Sequence, residues 1–557
     1  MGIASLLSMF PWIISGELPA TVPAVLAIAV SLLTAVTYPL LYHLSNRRTS
    51  PDYDNYMDIT LGLYMFGIYS AVLIGGARIS PVWAGVITAA MECVMLFIAL
   101  SQWVYYAMYH GSVDSKSIEV ILNTNVNEIL EFGKYYNPLA VAGVIIGIAC
   151  ITAGVFYTDV TFPAVTSMPP LTVSILMAIY LAAMYMVLFK SRHSALRCSG
   201  VMSLIYEVKE FKKANSHYLD DTAKRMKALE VKPAGPAYGR PSTILIVIGE
   251  SASRDHISAF TAMCHETSPW LEQMAREGKM LLYPNSYSCA IQTVPAVKMM
   301  MTEANQYGSK PFAESCSLID VAHKLGYRVH WYSNQGHLGA FDTPVTMIAE
   351  TADTAKWTAQ QLNIPKFDES LIDFLDEVNP AENNLIVLHL KGNHFNYLNR
   401  FPADRRVWDA AEGENEDVTN YHNSLRYTDS VLAEAFGYAS EKLNLDAMLY
   451  VSDHGENPLK RRSPKFDGYG NTRIPVALYL SDDFRRLHPQ RAEALEKNRD
   501  KFFTNDLTYD LVCGIFDIES DNFNQSQSLA YSNYRFRLSD MLTYEGRMKV
   551  ADDPKLK

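Results

Sequence analysis

The pattern of apolar and polar residues divides the chain into two parts. Long apolar runs with almost no charge fill the first third, at about residues 21–43, 59–76, 82–109, 138–157 and 171–190. Each run is close to the roughly 20 residues that an α-helix needs to cross a lipid bilayer. The pattern therefore predicts an α-helical transmembrane domain over residues 1–190, with five membrane-spanning helices.

One loop of this domain, residues 110–137, is too polar to cross the bilayer. Within it, residues 117–132 carry apolar side chains at helical spacing, beginning with Ile118, Ile121 and Leu122. This spacing is typical of an amphipathic helix that lies on the membrane surface. Its polar residues, which include Thr124 and Glu128, are expected to face the lipid headgroups.

The rest of the chain reads as a connecting helix and linker over residues 191–240 and a soluble domain over residues 241–557. Short apolar runs have the length and composition of buried strands, and they lie at residues 242–248, 328–332, 384–390 and 447–451. Segments with helical periodicity alternate with them, at residues 270–277, 317–325, 370–378 and 424–439. This alternation predicts an α/β domain in which helices cover both faces of a mainly parallel sheet.

Charge follows the same division. The chain has 557 residues and a formal net charge of −11. Its first 190 residues hold six Lys/Arg and ten Asp/Glu, whereas the remaining 367 hold 42 and 49. This contrast excludes a simple soluble enzyme and a fully membrane-embedded transporter. Because the net charge is negative and no long basic run occurs, nucleic acid is excluded as the main partner.

Residue types that bind metals follow three of the four predicted strands. Glu250 comes directly after the first strand, His389 and His394 flank the end of the third, and Asp453 and His454 follow the fourth. Ligands of α/β domains bind at the carboxyl ends of the strands, so these side chains should meet at one edge of the sheet. Carboxylate and imidazole groups together form a ligand set for Zn²⁺ or Mn²⁺.

Five motifs occur in a fixed order, namely I-G-E-S-A-S-R-D-H (248–256), C-A-I-Q-T (289–293), L-H-L-K-G-N-H-F-N-Y (388–397), Y-H-N-S-L-R-Y-T-D (421–429) and V-S-D-H-G-E (451–456). Together they resemble the phosphoethanolamine transferases of Gram-negative bacteria, which belong to the alkaline phosphatase/sulfatase superfamily. The segment L-N-T-N-V-N-E (122–128) is similar to that family's amphipathic periplasmic loop. The resemblance therefore covers nearly the whole chain and implies an alkaline-phosphatase/sulfatase-like catalytic domain.

The resemblance implies a metal centre and a nucleophile. Glu250, Thr293, Asp453 and His454 match the family's zinc ligands, and Thr293 also matches the nucleophile. A threonine hydroxyl attacks poorly at neutral pH, and coordination to Zn²⁺ lowers its pKa and fixes its orientation. Thr293 also suits the N-cap of a helix over residues 294–301, whose N-terminus would favour a phosphate group.

Other matching residues concern the substrate. His394 matches a histidine that binds the transferred phosphate group or a second zinc ion, and His389 is a further candidate for clamping that group. Thr124 and Glu128 match loop positions that hold the lipid donor. Asp467 stands in an Asp-Gly pair where the family has His-Gly, which leaves the second zinc ion open. Asn393 also departs from the family, which has serine there.

The implied reaction transfers phosphoethanolamine from phosphatidylethanolamine to Thr293 and then to an envelope acceptor, such as the lipid A, Kdo or core sugar of lipopolysaccharide. Transfer to a periplasmic glucan or protein, and transfer of phosphoglycerol or phosphocholine, stay open from the residues. A non-catalytic membrane scaffold that keeps the fold is the alternative from another class. We expect a monomer whose partners are the lipid donor, the acceptor and the inner membrane.

Two features bear on the cellular compartment. The Lys and Arg residues cluster after predicted spans 1, 3 and 5, and the positive-inside rule would place the soluble domain in the cytoplasm. The motif resemblance implies the periplasm instead, and we follow the motifs. The four cysteines of the soluble domain permit disulfides there or can remain free thiols, and they are Cys264, Cys289, Cys316 and Cys513.

Overall fold

A computed structural model describes most of the chain. The described residues are 17–19, 21–44, 55–77, 79–109, 138–162, 165–167, 178, 218–335, 343–358, 366–460 and 468–556. They fall into two compact units, of which the first holds the described residues up to 178 and the second holds residues 218–556.

The described residues of the N-terminal unit include four long apolar helices. Their bounds are α1 Thr21–Leu44, α2 Asn55–Ala77, α3 Pro81–Tyr109 and α4 Pro138–Thr161. A short antiparallel pairing also joins Glu17–Pro19 to Val165–Ser167. Among the described residues, three segments are long and apolar enough to cross a membrane, namely Val22–Leu41, Pro81–Ala107 and Ala142–Thr161. These match the first, third and fourth predicted spans, and most of the fifth lies outside the described residues.

A seven-stranded mixed sheet is the centre of the C-terminal unit. Its strands are β1 Thr243–Gly249, β2 Met280–Leu282, β3 Arg328–Ser333, β4 Thr354–Trp357, β5 Asn384–His389, β6 Leu445–Ser452 and β7 Val476–Leu480. Their order across the sheet is β2-β7-β6-β1-β5-β3-β4, and β7 alone is antiparallel to its neighbours. The first strand, β1, therefore lies between β6 and β5, and the carboxyl ends of these three strands share one edge.

Helices cover both faces of this sheet, as the sequence predicts. The helices are α5 Thr222–Ala228, α6 Pro269–Arg276, α7 Thr293–Met300, α8 Leu318–Lys324, α9 Pro344–Ala349, α10 Glu416–Lys442, α11 Asp482–Leu487, α12 Pro489–Lys497 and α13 Thr508–Ile515. Alternate residues of β1 enter two separate cores, with Ile246 facing the core that includes α7, α8 and α13. Val247 faces the opposite core, which includes α6 and α10. A central strand that is apolar on both faces must be covered twice, because each face buries a set of alternate side chains.

The four predicted strands are confirmed with bounds shifted by one or two residues. The prediction of one helix over residues 370–378 is wrong, since two 3₁₀ turns occupy the segment, Asp368–Leu371 and Asp373–Glu377. Helix α10 is longer than predicted and begins eight residues earlier, at Glu416, where the Asn415 side chain caps it. The remaining short ladders join Lys232–Pro233 to Ile518–Glu519, Ser286–Tyr287 to Phe503–Thr504, and Leu542–Thr543 to Met548–Lys549.

Candidate metal centre

Two neighbouring strand ends bring three metal-ligating side chains together. Glu250 follows β1, and Asp453 and His454 follow β6. One ligand atom from each of the three lies within 4.8 Å of the others, and all three side chains are buried. The parallel pairing of β1 with β6, which puts Ser452 beside Gly249, places these residues side by side.

Thr293 joins this cluster from a different element. Its Oγ1 donates a hydrogen bond to Oε2 of Glu250 at 2.8 Å. The expectation that Thr293 is a helix N-cap is wrong, because Gln292 holds that position and Thr293 is the first residue of α7. The hydroxyl is thus half-buried at the start of a helix, where backbone N–H groups have no partner within the helix.

His454 is oriented by its own backbone neighbourhood. Its Nδ1 donates to the carbonyl of Gly455 at 2.8 Å. Because a carbonyl can only accept, the proton of the neutral ring is on Nδ1, and Nε2 carries the lone pair. That nitrogen lies 3.5 Å from Oε1 of Glu250 and 3.4 Å from Oδ2 of Asp453. The ring therefore presents a ligand atom to the two carboxylates.

The charge of the cluster fits a divalent cation. Asp453 Oδ1 accepts from the backbone N–H of Ser251 at 2.9 Å and of His454 at 2.6 Å. Its Oδ2 is buried and accepts no hydrogen bond from the described residues. Burial and the charge of Glu250 raise the pKa of Asp453 well above its ordinary value. A bound Zn²⁺ would offset both effects, and two carboxylates, one imidazole and one hydroxyl form a suitable four-ligand set.

A tight turn after β5 packs against Glu250 and carries His394. The backbone N–H of Asn393 donates to the carbonyl of Glu250 at 2.9 Å. Gly392 has φ +50°, and a Cβ there would lie 2.8 Å from the carbonyl oxygen of Glu250. Asp368 holds the turn from the other side, because its two carboxylate oxygens accept from the N–H groups of Lys391 and Gly392, both at 2.8 Å. His394 therefore emerges at the same sheet edge as the cluster.

His389 and Asn393 are buried near the cluster. The Nε2 atom of His389 has no hydrogen-bond partner among the described residues, and Trp331 packs edge-on against the ring at a centroid distance of 5.9 Å. Burial lowers the pKa of His389 to about 4, so the imidazole is neutral. Asn393, the departure from the family pattern, accepts hydrogen bonds from Ser424 and Thr428 of α10. Its side chain thus ties the turn to the helix.

Three of the predicted substrate residues are not placed. Thr124, Glu128 and Asp467 lie outside the described residues. Their roles remain predictions from the resemblance. The cysteines Cys264, Cys289, Cys316 and Cys513 are free thiols, and only Cys264 is exposed.

The structure adds two residues that organise the centre. Gln335 follows β3, and its Nε2 donates to Oε2 of Glu250 at 3.2 Å and to the carbonyl of Leu390 at 2.7 Å. Asn505 donates to the carbonyl of Asp453 at 2.7 Å and accepts from the N–H of Cys289 at 2.8 Å. A search of every strand end would have found Gln335. Asn505 has no such signal, because it begins a 3₁₀ turn, Asn505–Leu507, and follows none of the predicted strands.

Comparison with known proteins places this centre in a family. A family profile described as Sulfatase matches residues 242–511. Those residues form a sulfatase-family domain. The matched range includes the whole sheet and every residue of the cluster, which confirms the superfamily that the motifs indicate.

Relatives extend the match beyond the sulfatase-family domain. Phosphoethanolamine transferase EptC of Escherichia coli strain RS218 is 24% identical over 484 residues, which are 76% of this chain and 80% of EptC. The integral membrane protein lipooligosaccharide phosphoethanolamine transferase A from Neisseria meningitidis aligns with 91% of this chain and 98% of its own, with a TM-score of 0.61 and 18% identity. The zinc complex of the periplasmic domain of Escherichia coli EptC aligns with 58% of this chain and 96% of its own, with a TM-score of 0.52 and 20% identity.

Proposed function

We propose that this chain is a zinc-dependent phosphoethanolamine transferase. The observation that carries the proposal is the Thr293 hydroxyl, which donates to Glu250 at 2.8 Å beside Asp453 and His454. The likeness to EptC over 76% of this chain, and to the Neisseria transferase over 91% of it, supports the same activity. Glu250, Thr293, Asp453 and His454 would hold one zinc ion, whose charge would stabilise the phosphoryl oxygens during transfer.

The first half of the reaction uses phosphatidylethanolamine as the donor. The oxygen of Thr293 forms a bond to phosphorus while the bond from phosphorus to the glycerol oxygen breaks. Oε2 of Glu250 accepts a hydrogen bond from the Thr293 hydroxyl at 2.8 Å, so Glu250 takes the proton as the bond to phosphorus forms. His394 protonates the glycerol oxygen, and diacylglycerol leaves.

The second half reverses the roles. An acceptor hydroxyl or phosphate oxygen attacks phosphorus and any proton it carries passes to His394, while the bond to Thr293 breaks and the threonine recovers its proton from Glu250. The acceptor we propose is an envelope glycolipid, because the aligned Neisseria protein is named for its lipooligosaccharide acceptor. Such acceptors lie outside the inner membrane, so residues 1–190 would anchor the chain there, Thr124 and Glu128 would hold the donor, and residues 241–557 would lie in the periplasm.

The test is donor turnover by the purified full-length protein with zinc and fluorescent phosphatidylethanolamine. Wild type should release fluorescent diacylglycerol and gain the mass of one phosphoethanolamine group on Thr293. Thr293→Ala should lose both signals. Thr302→Ala is the matched control, because Thr302 lies just beyond the same helix and its hydroxyl donates to the carbonyl of Lys298, away from the metal centre.

Each of the other possible results would point to a different nucleophile, donor or function. Full activity in Thr293→Ala would mean that another residue is the nucleophile. Release from phosphatidylglycerol or phosphatidylcholine, but not from phosphatidylethanolamine, would assign another headgroup. No release from any donor by the zinc-loaded wild type would support a non-catalytic scaffold.

A further inference from the structure

Ser251 connects two of the carboxylates in the metal centre. Its backbone N–H donates to Oδ1 of Asp453 at 2.9 Å, and its Oγ donates to Oε1 of Glu250 at 2.5 Å. Both carboxylates therefore have one oxygen fixed by the same residue. Of the oxygens that Ser251 does not bind, Oε2 of Glu250 accepts from Thr293 and Gln335, and Oδ2 of Asp453 accepts no hydrogen bond from the described residues.

Ser251 makes these two bonds in a backbone conformation that serine avoids. Its φ is +56°, in the left-handed region, and the residue is fully buried. A non-glycine residue is strained there and keeps this conformation only where its surroundings fix it. Some other group must therefore supply the constraint, since β1 has already ended at Gly249.

The hydroxyl of Tyr421 supplies this constraint on the backbone of Ser251. Tyr421 Oη donates to the carbonyl of Ser251 at 2.7 Å and accepts from the N–H of Ser253 at 2.9 Å. The two bonds bridge the backbone on either side of Ala252. Tyr421 itself is completely buried in helix α10.

The ring of Tyr421 is held independently of its hydroxyl. It packs edge-on against His256 at a centroid distance of 5.3 Å and against Tyr397 at 5.0 Å. A phenylalanine can keep both contacts and the volume of the side chain, so removal of the hydroxyl separates hydrogen bonding from packing.

We infer that Tyr421 is a positioning residue for the metal centre. It holds Ser251 in the left-handed conformation, and Ser251 in turn aims the carboxylates of Glu250 and Asp453. Tyr421 touches neither carboxylate, and it acts only through Ser251. The inference rests on the proposed function for the identity of the metal, but the contacts apply to any divalent ion in this centre.

The experiment compares Tyr421→Phe with wild type in the full-length protein. Zinc affinity is measured by competition with a chromophoric chelator, and the visible absorption of the cobalt-substituted protein reports the ligand geometry. We expect Tyr421→Phe to bind zinc about tenfold more weakly, the lower end of the loss seen when a hydrogen-bond partner of a metal ligand is removed, because Tyr421 acts through Ser251. The cobalt bands should shift, and excess zinc should restore much of any lost donor turnover.

Tyr283→Phe is the matched control. Tyr283 is equally buried, and its hydroxyl makes one bond, to the carbonyl of Leu495 at 3.3 Å, away from the centre. It should bind zinc as wild type does. Unchanged zinc affinity and cobalt bands in Tyr421→Phe would overturn the inference. These two readouts are independent of donor turnover, so an inactive wild type that binds zinc would refute the proposed function and leave the role of Tyr421 testable.

Discussion

At the residue scale, the metal centre depends on close approaches that tolerate no extra atom. Gly392 shows this most directly, because its missing side chain leaves room for the backbone of Glu250. Its left-handed φ of +50° also favours glycine. The turn that carries His394 thus packs directly on the residue that supplies a ligand.

Gly392→Ala should reduce both stability and zinc binding. The new Cβ would meet the Glu250 carbonyl oxygen at 2.8 Å and the Glu250 nitrogen at 3.0 Å, so the turn or the ligand must move. We expect donor turnover to fall by at least tenfold and the free energy of unfolding to fall by about 1–3 kcal/mol. Activity assays and denaturant titrations measure the two effects.

Gly278→Ala is the control that separates the effect of backbone strain from the effect of the steric clash with Glu250. Gly278 also has a left-handed φ, of +69°, but a Cβ there would meet nothing within 4 Å. This variant should lose about 1 kcal/mol of stability and keep its zinc affinity and turnover. Equal effects of the two variants would show that φ alone, and not contact with Glu250, makes Gly392 necessary.

At the element scale, one turn of α10 organises several loops. Tyr421 and Ser424 bond to the loops that follow β1 and β5, and Asn423 bonds to the backbone of Val407 and Trp408. His422 lies between two other histidines, with its Nε2 3.0 Å from Nδ1 of His256 and its Nδ1 2.8 Å from Nδ1 of His265. These distances suit hydrogen bonds between imidazole rings.

The contacts among His256, His422 and His265 predict that the protein loses stability in acid. Burial, then the charges of His256 and His265, lower the pKa of His422 to about 4, against roughly 6.5 in an unfolded chain. The unfolded state therefore binds more protons between these values, and stability falls as pH drops from about 6.5 to about 4. Asp255 and Lys555 are the charged groups facing His256; Asp255, whose pKa is lowered, keeps its charge over this range.

His422→Asn should flatten that dependence. The slope of unfolding free energy against pH should decrease by up to about 1.4 kcal/mol per pH unit, which corresponds to one proton. Thermal unfolding of the purified protein in detergent, repeated from pH 4 to pH 7, measures the change. A variant whose melting temperature falls with acid as steeply as that of wild type would exclude His422 as the titrating group.

The elements that the sequence predicted correctly share a physical cause. Strands β1, β5 and β6 are continuous apolar runs because both faces are buried, and that pattern is visible without any tertiary information. Short edge strands such as β2, with three residues, have no such pattern and were missed. The segment 370–378 has helical spacing, but its backbone closes into 3₁₀ turns.

The residues of the candidate metal centre can be predicted from the sequence only where they follow a recognisable strand. Glu250, Asp453 and His454 were found because each follows an apolar strand. Asp368 and Asn505 could not be found in this way. Their role is to accept or donate hydrogen bonds to backbone groups of other loops, and that depends on loop positions that only the fold specifies.

At the scale of the whole molecule, the compartment of the C-terminal unit is the main prediction. Cys264 is an exposed thiol of that unit, whereas Cys289, Cys316 and Cys513 are buried. A membrane-impermeant maleimide should therefore label Cys264 in cells whose outer membrane has been permeabilised, without lysis of the inner membrane. The labelling is done in a Cys198→Ser background, which removes a thiol that lies outside the described residues.

Cys264→Ser provides the control in the same background. It should abolish the labelling that intact inner membranes allow. Labelling only after the inner membrane is dissolved would place the unit in the cytoplasm and favour the positive-inside count over the motifs.

The central position of β1 has a consequence for biosynthesis. Thr243 of β1 pairs with Asn384 of β5 on one side and with Leu445 of β6 on the other. β1 is the first strand of the seven-stranded sheet to be synthesised, and its two partner strands follow about 140 and 200 residues later. Until they emerge, the seven residues of β1, five of which are Ile, Leu or Val, are unpaired on both edges and prone to aggregate. A nascent chain shorter than 445 residues also lacks Asp453 and His454. The full set of metal ligands is therefore complete only late in synthesis.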